Sequence, residues 1–147
     1  MAETSTAPTT AELMEAVAAV CAAYLQDFAA AAGRLGLTSV QAKALGAVRE
    51  PVPMRALAGR LGCDASNVTG IVDRLEARGF ALRQADEADR RVKIVVATEE
   101  GRAALQAVQA EMHRTQRAFD ALDADQRSAL RDLCGRLLPL LTPAERD

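Results

Sequence analysis

The sequence predicts a mainly α-helical chain carrying one small β-hairpin, on three observations. Apolar residues recur at steps of three and four near both ends, at Leu13, Val17, Val20, Tyr24 and Phe28 and again along Leu130, Leu133, Leu137, Leu138 and Leu141, the spacing of one helix face. Only between Phe80 and Thr98 does the period change to the alternating or continuous apolar runs of strands. Alanine is abundant, while Gly and Pro number 9 and 5 in 147 residues, a balance that favours helix.

The elements follow in order. Residues 1 to 9 read as a frayed tail. Thr10 is the expected cap of a long first helix that Gly33 and Gly36 end. Thr38 or Ser39 caps a second helix, with Val40, Ala44, Leu45 and Val48 facing inward, and Pro51 and Pro53 stop it. Val52 to Met54 can add a short strand. "MRALAGRLG" spells a short third helix ending at Gly62. Asp64 is a suitable N-cap for a fourth, which runs to about Arg78 and stops at Gly79. Residues 54 to 78 therefore spell helix, tight turn, helix. "FALRQAD" and "RVKIVVAT" are two strands joined by the charged loop "DEADRR". Thr98 caps "TEEGRAALQAVQAEMHRTQRAF", expected as one continuous helix. A last helix spans about Ala124 to Leu141, its final turn disturbed by Pro139. No internal repeat or second domain is visible.

Composition narrows the function. The formal net charge is -2, so the overall balance does not announce a nucleic-acid partner, although a local patch suffices for one. Cys21, Cys63 and Cys134 are scattered and odd in number, which supports neither a disulfide framework nor a zinc site. The N-terminus lacks the pattern of a signal peptide, and no uninterrupted apolar run approaches about 18 residues; a soluble, cytoplasmic protein without membrane contact or cofactor is expected. A single histidine, no paired acids in an apolar setting and no phosphate-cradling glycine loop argue against an enzyme.

The fourth helix raises the functional question. Val68, Ile71, Val72 and Leu75 form one side, and Ser66, Asn67, Thr69 and Gly70 lie along the other. A purely structural helix fills its outer face with Glu, Lys and Arg. Small polar groups leave room for something large and polar. Structural alternatives exist residue by residue: Ser66 can help to cap the helix and Gly70 can serve helix packing.

"LAGRLGCDASNVTGIVDRLEARGF" followed by "DEADRRVKIVVATEEGRAAL" resembles the MarR family of winged helix-turn-helix transcription regulators. The likeness is close over about residues 35 to 105, where LAxRLG, VDRLExRG, DxxDRR and TxEGR stand in the family's order and spacing. The outer helices match only in length and position. The resemblance implies a single domain over residues 10–147, with a DNA-binding lobe at about 37–100 and dimerisation helices at about 10–33 and 101–143. It implies a homodimer on double-stranded DNA, usually a repressor on a palindromic operator. Control would come from a small ligand, phenolic or otherwise anionic and lipophilic, or from cysteine oxidation.

Under that reading the fourth helix enters the major groove, about 12 Å wide. Ser66 and Asn67 lie on its first turn, and an amide can pair two-fold with an adenine edge. Thr69 offers a hydroxyl and a methyl, Gly70 permits close approach, and Arg74 reaches for the backbone. The hairpin loop becomes a wing, with Arg90 or Arg91 entering the minor groove. Asp86, Glu87 and Asp89 would repel phosphate unless paired or turned away. Asp89 can orient a neighbouring arginine. The family's pairing of an acid at the start of the recognition helix with a wing arginine falls here on Asp64 and Arg91.

From Arg55 to Arg102 there are nine basic and eight acidic side chains, so affinity must rest on placement. Arg55, Arg60 and Lys93 are further candidates for backbone contact, whereas Pro53 and Met54 replace the Ser or Thr cap common in the family. A ligand pocket is expected from Tyr24, Phe28, Met112, His113 and Phe119. Cys21 is the candidate redox residue, though the chain has one tyrosine to support a thiolate. The remaining alternative is a winged helix used for protein contacts without DNA.

Overall fold

The computed structural model describes residues 7–142, so the expected tail lies outside the described residues as far as residue 6. The element order is α1 (Thr10–Arg34), α2 (Ser39–Ala47), β1 (Val52–Pro53), α3 (Met54–Leu61), α4 (Ala65–Ala77), β2 (Ala81–Ala85), β3 (Lys93–Ala97), α5 (Glu99–Ala110), α6 (His113–Asp120) and α7 (Ala124–Leu141). This is the expected mainly helical chain with a hairpin, and β1 adds the short third strand. The chain divides into two compact units, one ending at Met112 and the other beginning at His113.

In the first unit most helix ends are set by local hydrogen bonding. α1 starts one residue earlier than expected, because Thr9 rather than Thr10 forms a capping box with Glu12. The Thr9 backbone N–H and then its hydroxyl donate to the Glu12 carboxylate, which holds that carboxyl below its ordinary pKa. Thr38 forms the same box with Gln41 at α2. Pro53 precedes α3 with no side-chain cap. Gly62 adopts the left-handed conformation, φ 62°, that turns the chain from α3 into α4.

Leu45, Val48, Val52, Leu57, Val68, Val72, Leu75, Val95 and Val108 are the largest fully buried side chains. They come from α2, the sheet, α3, α4 and α5, so the helix-turn-helix and the sheet share one core. β3 is central in the order β1-β3-β2, and both pairings are antiparallel. The Ala97 amide donates to the Val48 carbonyl at 2.8 Å, pinning the end of α2 to the end of β3.

Two expectations are corrected. Val40 is not inward; it lies exposed on the first turn of α2. The helix expected from Thr98 to Phe119 is two helices. Arg34 donates to the Glu111 backbone carbonyl at 2.5 Å and to its carboxylate at 3.0 Å, and Met112 turns into the core. Periodicity cannot register such a break, because the apolar residues continue across it. α1 is, among the described residues, the one helix long and apolar enough to cross a membrane by length and composition. Its many alanines raise that average. Its C-terminal part buries Asp27 along with Phe28, Ala31 and Ala32, so this end is docked in a protein core.

The second unit is a helical pair. Asp123 and Gln126 form a capping box at the start of α7. Arg127 donates to the Leu122 carbonyl and to Asp120, each at 3.0 Å, which closes the turn between α6 and α7. α7 runs through Pro139 to Leu141.

Candidate nucleic-acid interface

α4 is amphipathic in the expected sense. Val68, Ile71, Val72 and Leu75 are buried, while Ser66, Asn67, Thr69 and Arg74 are exposed. Asp64 occupies the N-cap in extended conformation, but its side chain makes no capping bond. Among the described residues, Ser66, Asn67 and Arg74 make no side-chain hydrogen bond within the chain, which leaves their polar groups available. The Thr69 hydroxyl donates to the Ala65 carbonyl at 3.2 Å, a local bond that orients the side chain along the helix. A Cβ built on Gly70 meets nothing within 4 Å. Its bareness is therefore not required by helix packing within the chain.

The wing is a loop shaped by its acids. Asp86 accepts from the Ala88 amide at 2.8 Å. Asp89 accepts from the Arg91 amide at 3.0 Å and from its guanidinium at 3.2 Å. Both carboxylates thus act as local turn formers, which accounts for acids in a loop expected to meet phosphate. Arg90 is exposed, and the Arg91 side chain is 92% accessible at the tip. Arg91 is paired with Asp89, and among the described residues no ion pair joins it to Asp64. The expected Asp64–Arg91 contact is replaced by one within the wing, two residues apart and needing no long reach.

A different arginine joins the hairpin to the helix. Arg83, on β2, is only 24% exposed. Its guanidinium meets Asp73 at 2.6 Å, the Glu76 carboxylate, and the Thr69 backbone carbonyl at 3.1 Å. The Arg83 amide also donates to Glu76 at 2.7 Å. Sequence reasoning missed this residue. The available signal was two acids three apart on one helix edge, followed by a strand with a single arginine.

The other candidates are dispersed. Arg60 donates to the Ala47 carbonyl at 3.3 Å, while Arg55 and Lys93 are exposed. Tyr24 stacks on Phe28 with ring centroids 6.5 Å apart. Phe28 and Met112 are buried in the core of the first unit, whereas His113 and Phe119 lie exposed on α6 in the second. A cavity of about 570 Å³ opens elsewhere, lined by Arg49, Glu50, Arg102, Leu105, Gln106 and Gln109. Its walls are the corner after α2 and one face of α5, and none of the five expected pocket residues lines it. Cys21 and Cys134 are exposed and Cys63 is half-buried.

Comparison with known proteins places these elements in a family. The family model described as MarR matches residues 47–93, the span from the end of α2 through the recognition-type helix and the wing to the start of β3. A curated relative, the uncharacterized HTH-type transcriptional regulator YfiV of Bacillus subtilis (strain 168), is 32% identical over 75 residues. That match covers 50% of this chain and 47% of the relative, so the chain spans about half the length of the curated relatives it matches.

Solved structures match over almost the whole chain. The transcriptional regulator BldR from Sulfolobus solfataricus is similar with TM-score 0.69 and 28% identity, over 88% of this chain and 94% of that one. CouR from Rhodococcus jostii RHA1, solved bound to p-coumaroyl-CoA, is similar with TM-score 0.71 and 25% identity, over 97% of this chain and all of that one. The helix-turn-helix, the wing and the matched motifs stand in one contiguous segment, and it is this segment, residues 47–93, that matches the MarR family.

Proposed function

We propose that this protein is a sequence-specific DNA-binding transcriptional regulator, a cytoplasmic homodimer that occupies a palindromic operator as a repressor. The observation that carries the reading is the outer face of α4. Ser66 and Asn67 present unengaged polar groups on its first turn, and Gly70 leaves bare space one turn further on. An α-helix with such a face fits the major groove. Arg90 and Arg91 are exposed on the wing, where they would reach the backbone or the minor groove. Two recognition helices about 34 Å apart are needed to read both half-sites, which one chain cannot supply.

Gly70 separates a structural role from a functional one. Gly70→Ala should stabilise the free protein by about 1 kcal/mol, since alanine is the better helix former and the space is open. It should also weaken binding to the gene's own upstream region by on the order of tenfold, about 1.4 kcal/mol, through loss of close approach. Thermal melts and gel shifts measure the two effects. Stabilisation with unchanged binding would remove the face from the groove. Arg90→Ala with Arg91→Ala should reduce affinity at all sites and flatten the dependence of log K on log salt by roughly one per lost phosphate contact.

Release by a small ligand is the second part of the reading. The ligand's leverage is its differential affinity for the two arrangements of the dimer. Arg49 and Arg102 flank the 570 Å³ cavity over the buried Leu105. The two guanidiniums can receive an anionic group, and Gln106 and Gln109 line the same cavity, whereas Phe28 and Met112 are buried in the core. Arg102→Gln should leave operator binding intact and raise the ligand concentration needed for release, which a screen of aromatic carboxylates and acyl thioesters against the bound operator would show.

A further inference from the structure

We infer that Arg83 is the positioning residue that sets the attitude of α4 relative to the wing, and that discrimination between DNA sequences depends on it. This rests on the DNA-binding reading above.

β2 is held to β3 by a continuous five-residue register from Ala81↔Ala97 to Ala85↔Lys93. Its position is therefore fixed by the sheet. α4 is held mainly by the apolar contacts of Val68, Ile71, Val72 and Leu75. Apolar contact is non-directional and leaves rotation and axial slip of a helix weakly specified. Arg83 supplies the missing direction. Its acceptors are Thr69, Asp73 and Glu76, at i, i+4 and i+7, a single edge of the helix. A planar guanidinium with five donors in a fixed fork can hold three acceptors only in one geometry.

One acceptor is the backbone carbonyl of Thr69, immediately before Gly70 and within the reading face. Rotation of α4 about its axis would move Asn67 and Thr69 off register with base edges, and would also break this contact. Both terminal nitrogens of the guanidinium are engaged inside the chain, one by Glu76 and the other by Asp73 and the Thr69 carbonyl. Arg83 therefore acts through α4 and not by touching phosphate. Its acids are partly solvated, Asp73 at 59% accessibility. Solvent screens the Asp73 contact in particular, and the three acceptors together fix a direction that apolar packing does not.

The experiment measures affinity of the full-length protein for its selected operator and for a scrambled duplex, across a salt series, with thermal melts alongside. Arg83→Met is expected to shift the melting temperature by no more than a few degrees. It should leave scrambled-duplex affinity and its salt slope unchanged, and weaken operator binding at least tenfold. Arg83→Lys should fail to restore discrimination, because a single ammonium cannot span the three acceptors. Asp73→Asn should lower it in the same direction, and the double variant should be no worse than the poorer single.

If Arg83→Met keeps the wild-type preference, the inference is wrong. Parallel loss of operator and scrambled binding with a shallower salt slope would make Arg83 a phosphate contact, and would also overturn it. A wild-type protein without preference for any duplex would sink the DNA-binding reading itself, a result distinct from both.

Discussion

Gly101→Ala is expected to destabilise the unit built from α1 to α5 by roughly 2–4 kcal/mol, a large value for one methyl group. The cause is a close approach of two backbones. A Cβ at Gly101 would lie 1.9 Å from the Phe80 carbonyl oxygen and 2.8 Å from its carbon. No side chain there can swing aside. The Phe80 oxygen accepts from the Thr98 amide at 3.0 Å, and the Thr98 hydroxyl donates to the Gly79 carbonyl at 2.6 Å while accepting from the Gly101 amide at 3.0 Å. Relief of the clash would have to move the first turn of α5 off the start of β2, and so break the cap and the root of the wing together. Chemical denaturation measures the effect. Gly59→Ala is the control, since a Cβ there meets nothing within 4 Å; in a helix interior it should be neutral or slightly stabilising. A Gly101→Ala variant within 0.5 kcal/mol of wild type, on the order expected for an ordinary surface change, would show that the junction is soft.

That junction was half legible in the sequence. Thr98 reads as a cap because a hydroxyl residue precedes a helical period, and it does cap α5. The need for glycine three residues later depends on Phe80, 21 positions away, and no local pattern carries it. The same division runs through the chain. The buried face of α4 follows from spacing alone, and all four of its expected residues are buried. The paired strands follow from the change of period. Contacts that depend on tertiary reach were invisible or misread. The helix expected to run on to Phe119 breaks at Glu111 where Arg34 meets it from 77 residues away. The wing acids look like a source of repulsion until their bonds to Ala88 and Arg91 are seen. The helix-to-hairpin link was expected between Asp64 and Arg91, whereas Arg83 makes it with Asp73 and Glu76. Long flexible ionic side chains pair by proximity in the fold, and their spacing in sequence says little about which partner they find.

The apolar ends of the chain carry the second large effect. From Ala7 to Gln26 every residue is exposed, including Leu13, Val17, Val20 and Tyr24 at steps of four, three and four. All of α7 is exposed as well, with Leu130, Leu133 and Leu137 along one stripe. Helices in proteins draw most of their stability from packing an amphipathic face, and soluble proteins seldom leave such contiguous apolar surface open. On the homodimer reading, the partner copy covers both stripes. A two-fold interface presents each position twice, so one substitution removes two buried side chains. Leu133→Asp should then cost about 1.5–3 kcal/mol per copy from lost apolar burial alone, roughly 3–6 kcal/mol per dimer, which raises the dissociation constant by on the order of 10² to 10⁴. Sedimentation velocity over a concentration series would show the dimer giving way to monomer, and the operator complex should be lost with it. Glu12→Gln, at the exposed capping box of α1, is the matched control; it should change neither. If Leu133→Asp and Val17→Asp both leave the wild-type mass and operator affinity in place, the stripes are not the surface that pairs the two copies, and a different pairing must bring the recognition helices to successive grooves.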